Sequence, residues 1–160
     1  MNTVMLSKHF SLNEMTVTQQ KIPNMPESED IIQNMQWVCS FILEKVRAHY
    51  GLPVIVHSGY RSKAVNAAVG GSDSSQHCRG EAVDFHVQHV SVYEVAIWIR
   101  DNLPIYDQLI LENYIPNTKN SGWVHCSITC RKKNRYDVRT KFKGDRNYYN
   151  GVLLDKPTTS

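Results

Sequence analysis

The sequence lacks a long hydrophobic run. No segment approaches the about 18 consecutive apolar residues that a membrane-spanning helix needs, so we expect no membrane span. The first residues also lack a basic stretch followed by an apolar stretch, so we expect no secretory signal peptide. Internal repeats and low-complexity linkers are absent as well. These absences favour one compact globular unit.

Cysteine is scarce and unpaired in the sequence. The four cysteines are Cys39, Cys78, Cys126 and Cys130, and no two of them form a C-x-x-C pair. The spacing therefore argues against a zinc site made of four cysteines. We expect free, buried thiols in a reducing compartment, while a disulfide between two of them stays open.

The composition is that of a single soluble domain with a basic tail. The chain has 160 residues, of which 41% are hydrophobic and 21% charged. Residues 131–146 carry a net charge of +6 in a chain of net charge +3. This segment is either an electrostatic handle for an anionic partner or a solvated basic strand or hairpin. Its aromatic residues indicate that it packs on the domain.

Hydrophobic periodicity predicts an α+β fold. A long helix should begin after the N-cap Ser28 and end near Tyr50, and shorter helices should cover residues 62–69 and 91–102. Strands are predicted at 54–57, 81–87, 107–112 and 122–128, with a loop at 70–75 and a short helix within 7–20. Short connections late in the chain favour a small antiparallel sheet packed against helices.

Three separated side chains suggest a metal site. His77, Asp84 and His125 offer two imidazole nitrogens and one carboxylate, a ligand set that suits zinc and leaves one position for water. His77 and Asp84 can share an ion only if the chain turns between them, and Gly80 supplies the flexible point. Alternation over 82–87 places Asp84 and His86 on one strand face. On spacing alone, the alternative is three unrelated polar residues.

Several motifs occur in the order that is typical of one known family. They are Ser58 to Ser62, Asn66, Val69-Gly70-Gly71, Ser75-x-His77-x-x-Gly80-x-Ala82-x-Asp84, Asp107-Gln108-Leu109-Ile110-x-Glu112 and Trp123-Val124-His125-x-Ser127. Over residues 5–130 the chain resembles the zinc D-Ala-D-Ala carboxypeptidases of peptidase family M15, in particular the small bacterial and phage members that cleave peptidoglycan. The resemblance implies a hedgehog/DD-peptidase-like fold holding one Zn²⁺ ion on His77, Asp84 and His125.

The resemblance also implies a general base, with one departure. Several relatives carry an acid three residues before the last histidine ligand, but this chain has Gly122 there. We therefore expect Glu112 to take the proton of the attacking water, with Asp107 as the reserve or as a structural residue. Arg61 is expected beside the zinc, binding a substrate carboxylate or the scissile carbonyl. Ser75, Gln76 and Tyr60 are expected to line the cleft, and His86 is a candidate supporting residue or rival ligand.

These expectations define two functions. The first is a zinc metallopeptidase that cuts peptidoglycan stem peptides, as a carboxypeptidase, a murein endopeptidase or a phage endolysin. The second is a non-catalytic, zinc-stabilised binding domain of the hedgehog type. We expect one zinc peptidase domain over 1–130, with 1–26 as its opening segment, and a basic extension over 131–160. The protein should be a monomer that acts on peptidoglycan or muropeptides and not on nucleic acid. It should be made in the bacterial cytoplasm and reach the cell wall after release.

Overall fold

A six-stranded sheet forms the centre of the molecule. The structure is a computed structural model that describes residues 2–158. The strands are β1 (Val54–Ser58), β2 (Ala82–Val87), β3 (Gln108–Tyr114), β4 (Trp123–Ser127), β5 (Asp137–Phe142) and β6 (Tyr149–Asn150). Their order across the sheet is β1-β2-β4-β3-β5-β6. The predicted α+β class is confirmed, and the four predicted strands are β1 to β4.

The predicted long helix is present with one irregular turn. It consists of α2 (Glu29–Val38), a π-helical turn (Cys39–Leu43) and α3 (Glu44–Tyr50). Ser28 caps its start by accepting a hydrogen bond from the Asp30 amide. Gly51 ends it in the left-handed conformation.

The remaining helices are short. They are α1 (Leu12–Met15), α4 (Lys63–Ala68), α5 (Val92–Asn102) and a 3₁₀ turn (Gln76–Arg79) that the sequence pattern does not reveal. Ser11 and Glu14 form a reciprocal capping box around α1. Among the described residues, no helix has both the length and the apolar character needed to cross a membrane.

The two faces of the sheet have different roles. Val83, Phe85 and Val87 of β2 are fully buried in the core, as the alternation predicts. Leu109 and Leu111 of β3 extend this apolar face, which packs against α2 and α5. Asp84, Glu112 and His125 lie on the opposite face, away from α2 and α5. The sheet therefore separates a hydrophobic core from a face that is available for chemistry.

The basic tail forms part of the sheet. β5 pairs in parallel with β3, and β6 pairs antiparallel with β5. The predicted antiparallel pairing holds among β1 to β4, and the parallel pair of β3 with β5 is an addition to it. The connection at 128–136 leaves the end of β4 and passes β3 before β5 begins, so β5 runs in the same direction as β3. All four cysteines are free, and Cys39 and Cys126 are buried.

Gly80 shapes the turn between the 3₁₀ segment and β2. Its φ angle is 71°, and a Cβ atom there would lie 2.7 Å from the carbonyl oxygen of Ile31. We predict that Gly80→Ala lowers the free energy of unfolding by about 3 kcal/mol or more, because it combines a left-handed backbone with a collision. Urea denaturation measures the change.

Gly51→Ala is the matched control for this substitution. Gly51 has a φ angle of 63°, but a Cβ atom there would meet nothing within 4 Å. We expect Gly51→Ala to lower the free energy of unfolding by only about 1 kcal/mol, because only the backbone conformation is unfavourable. Equal losses for the two variants would show that the contact with Ile31 does not matter.

Candidate active site

His77 is held in one orientation by the backbone around it. The Ser75 hydroxyl accepts a hydrogen bond from the His77 amide and caps the 3₁₀ turn. Nδ1 of His77 lies 2.7 Å from the carbonyl oxygen of Gly59, so Nδ1 carries the proton and donates it. Nε2 is left as an acceptor. The side chain is 96% buried, and Nε2 has no hydrogen-bond partner among residues 2–158. A buried polar atom without a partner indicates a missing ligand.

Asp84 and His125 face each other across neighbouring strands. Register pairs Asp84 of β2 with His125 of β4, and His125 with Ile110 of β3. Oδ1 of Asp84 lies 2.9 Å from Nδ1 of His125, and Oδ2 lies 3.3 Å from Nε2 of His77. Burial alone would raise the pKa of Asp84, but the two imidazoles outweigh it and hold that pKa well below its usual range. Asp84 is therefore a carboxylate at neutral pH.

The three side chains suit a zinc ion. One donor atom from each of His77, Asp84 and His125 lies within 4.8 Å of the other two. The set of two imidazoles and a carboxylate is a common catalytic zinc set. Within the described part of the chain, no fourth histidine, cysteine or acidic residue joins this group. The unsatisfied Nε2 of His77 is the atom that such an ion would engage.

Arg61 supports the cluster and reaches the cleft. Its guanidinium donates to the Ser58 hydroxyl at 3.0 Å, to Oδ1 of Asn66 at 3.1 Å and to Oδ2 of Asp84 at 3.3 Å. These bonds use Nε, Nη1 and Nη2 once each, so one N–H remains on each Nη atom. Arg61 therefore fixes Asp84 and still has two donors for a substrate.

Glu112 lies on the same sheet face as the cluster. It follows Ile110 by two residues on β3, and Ile110 is the register partner of His125. Burial raises the pKa of Glu112, with the Asp84 charge adding to the effect and His125 opposing it. The Tyr148 hydroxyl donates a long hydrogen bond of 3.4 Å to Oε1 of Glu112. A partly buried carboxylate with a raised pKa is suited to accept and return a proton.

Gly122 explains why the acid of some relatives is missing here. Its φ angle is 69°, and a Cβ atom at this position would collide with the backbone carbonyl oxygen of Glu112. The turn between β3 and β4 therefore packs directly on the backbone of Glu112. A side chain at position 122 does not fit this backbone.

Other predicted residues have different placements. Asp107, the reserve base, is fully buried and accepts hydrogen bonds from Nε and Nη2 of Arg135 at 3.1 and 2.8 Å. This ion pair favours the structural alternative for Asp107. Tyr60 is buried in the core instead of lining the cleft, so that prediction is wrong. His86 hydrogen-bonds to His57 at 2.6 Å and takes no part in the three-residue group.

One cleft contains the whole arrangement. Its volume is about 680 Å³. The predicted residues that line it are Arg61, Ser75, Gln76, His77, Asp84, Glu112 and His125. Sequence reasoning missed Tyr148, Arg131, Lys132 and Arg135, which come from the tail and line the same cleft. The available signal was the tail's combination of positive charge with aromatic residues.

The fold and the cleft define a class of protein. A histidine, aspartate and histidine set that faces an open cleft beside a partly buried glutamate is typical of a metal-dependent hydrolase. The chain belongs to the Peptidase M15 family, whose model matches residues 8–127. Peptidases of this family are zinc-dependent. A comparison with curated protein sequences gives no match. The family match over residues 8–127 confirms the resemblance that the sequence motifs indicate.

We predict that the protein binds one zinc ion and that His77→Ala lowers the affinity at least about 100-fold, because it removes a ligand. Titration with zinc against a competing chelator measures this. His86→Ala is the matched control, since it removes a nearby imidazole outside the group. An equal loss in both variants would contradict the ligand assignment.

We predict that Gly122→Glu destabilises the protein instead of placing a carboxylate beside Glu112. The new side chain would strain the left-handed backbone and displace the strand that carries residue 112, at a cost of about 3 kcal/mol or more. Thermal unfolding with and without zinc measures the loss. A Gly122→Glu protein as stable as wild type would contradict the packing described for this turn.

Proposed function

We propose that the protein is a zinc-dependent peptidase that hydrolyses a peptide bond in the stem peptides of peptidoglycan, as a D-Ala-D-Ala carboxypeptidase or a murein endopeptidase. The observation that carries the proposal is the shared cleft. His77, Asp84 and His125 open into it together with Glu112 and Arg61. A binding module has no need for a partly buried glutamate beside its zinc ligands, so the cleft favours the enzyme over the hedgehog-type alternative.

The chain supplies most of the parts that amide hydrolysis needs. Zinc, when bound, supplies Lewis acidity that lowers the pKa of a water molecule and polarises a carbonyl group. Glu112 takes the proton of the attacking water and gives it to the departing amine. The raised pKa of Glu112 suits both transfers, because such a carboxyl group holds a proton more readily than an exposed one.

Arg61 and Tyr148 orient the reacting groups. The two free N–H groups of Arg61 point to a role in holding a substrate carboxylate or the scissile carbonyl oxygen. The Tyr148 hydroxyl donates a hydrogen bond of 3.4 Å to Glu112, which favours one orientation of the carboxylate. Orientation of this kind lowers the entropy cost of reaching the transition state.

We further propose that the enzyme acts on the cell wall after release from the cytoplasm, by lysis, through a membrane pore or from a phage particle. The resemblance to small phage and bacterial wall peptidases supports this proposal. Which bond is cut depends on how the cleft fits the stem peptide on each side of the scissile bond.

We predict that Glu112→Gln lowers kcat about 10²–10⁴-fold while zinc stays bound at one ion per chain, because only the proton acceptor is lost. Mass spectrometry of digested, defined muropeptides identifies the bond and measures the rate. A chelator should abolish cleavage in the wild-type protein, and added zinc should restore it.

Glu94→Gln is the control, because it makes the same chemical change at an exposed site on α5. It should leave the rate unchanged. Cleavage that survives both the chelator and Glu112→Gln would remove the mechanism. A wild-type protein that binds zinc but cuts no muropeptide would instead favour the binding domain.

A further inference from the structure

The tail places a group of arginine and lysine side chains in the cleft. Arg131, Lys132 and Arg135 belong to the connection between β4 and β5, and Arg79 joins them from the end of the 3₁₀ turn. The family model ends at residue 127, so three of these four cations lie beyond it. We call these four residues the basic wall.

Two buried carboxylates hold the arginines of the basic wall in place. Glu81 is 1% exposed and accepts hydrogen bonds from Nε and Nη2 of Arg131 at 3.2 and 2.8 Å. Asp107 is 0% exposed and accepts from Nε and Nη2 of Arg135 at 3.1 and 2.8 Å. A guanidinium that is fixed along one edge cannot swing away into solvent.

Each arginine keeps an edge for another anion. The side chains of Arg131 and Arg135 are 43% and 47% exposed, and neither Nη1 atom makes a hydrogen bond to the described residues. Lys132 makes no ion pair within residues 2–158, and Arg79 donates only to the Ser74 carbonyl oxygen. The wall has four cations against two buried carboxylates, which leaves a net charge of about +2 facing the cleft.

The sheet sets the distance from the basic wall to the zinc ligands. Asp84, His125 and Ile110 form one row across β2, β4 and β3. Glu81 precedes Asp84 by three residues, and Asp107 precedes Ile110 by three residues. Three residues of strand span about 10 Å. When the scissile bond of an extended peptide lies at the zinc ligands, a side chain two or three residues from that bond therefore reaches the basic wall.

We propose that the basic wall is a subsite that binds a carboxylate of the peptide substrate, two or three residues from the scissile bond. This inference rests on the proposed peptidase function and adds to it a preference for acidic substrates. The carboxylate accepts hydrogen bonds from the free guanidinium edges, and Lys132 adds charge.

The test compares two substrates that differ in one group. Both substrates are the same defined stem peptide, with a free carboxylate in one and a carboxamide in the other at a position two or three residues from the scissile bond. The pair is made twice, once with this group on the N-terminal side of the scissile bond and once with it on the C-terminal side. We expect kcat/KM to be about 10-fold higher for the carboxylate form on one of the two sides. This ratio should shrink as salt rises from about 0.01 M to about 1 M, where the screening length falls from about 30 Å to about 3 Å.

Lys132→Gln is the variant of choice, because no buried carboxylate loses its partner. It should lower the ratio several-fold. Lys133→Gln is the matched control, since it makes the same charge change at the next residue, which is exposed and does not line the cleft. Arg131→Lys and Arg135→Lys keep the positive charge beside Glu81 and Asp107 but lose the second N–H edge of the guanidinium. These variants should therefore also lower the carboxylate-to-carboxamide ratio of kcat/KM.

The outcomes separate the subsite from the catalytic proposal. Equal kcat/KM for both forms on both sides, with cleavage intact, would overturn the subsite and leave the peptidase standing. An equal loss in Lys132→Gln and Lys133→Gln would also overturn it. If no peptide is cut, calorimetry with the same peptides still decides: tighter binding of the carboxylate form that Lys132→Gln weakens supports the subsite without the activity.

Discussion

The site depends on one buried carboxylate, Asp84, which lies between two imidazoles and a guanidinium. Asp84 lies on β2, between β1 and β4, and contacts His125 through one oxygen and His77 and Arg61 through the other. A buried carboxylate is costly unless such partners surround it. The partners come from the 3₁₀ turn, β4 and the segment after β1. The need to satisfy Asp84 therefore fixes how these elements meet.

Much of the fold and of the metal centre follows from local patterns in the sequence. The alternation around Asp84 places its side chain opposite Phe85, and the spacing from Ser28 to Tyr50 describes the long helix. These patterns can be read from the sequence because the side of a strand or helix on which a residue lies depends on its spacing from residues nearby in the chain. The convergence of His77 on Asp84 also needed the family motifs, since a 3₁₀ turn of four residues leaves little periodic signal.

The tail shows what local patterns could not reveal. Arg131 pairs with Glu81 across 50 residues of sequence, and Arg135 pairs with Asp107 across 28. Such pairs are decided by strand order, which alternation does not encode. The misplacement of Tyr60 has a similar cause. A tyrosine near a ligand motif fits either the cleft or the core, and the packing around it puts it in the core.

The parallel pairing of β5 with β3 has a consequence for biosynthesis. A ribosome delivers β1 to β4, with all three candidate metal ligands, before it delivers residues 131–150. Until β5 arrives, β3 is an edge strand with unpaired backbone groups, and the cleft lacks the lining residues Tyr148 and Arg135. The nascent chain therefore contains the His77, Asp84 and His125 group earlier than its complete cleft, and a truncated product would expose an edge strand that is prone to aggregation.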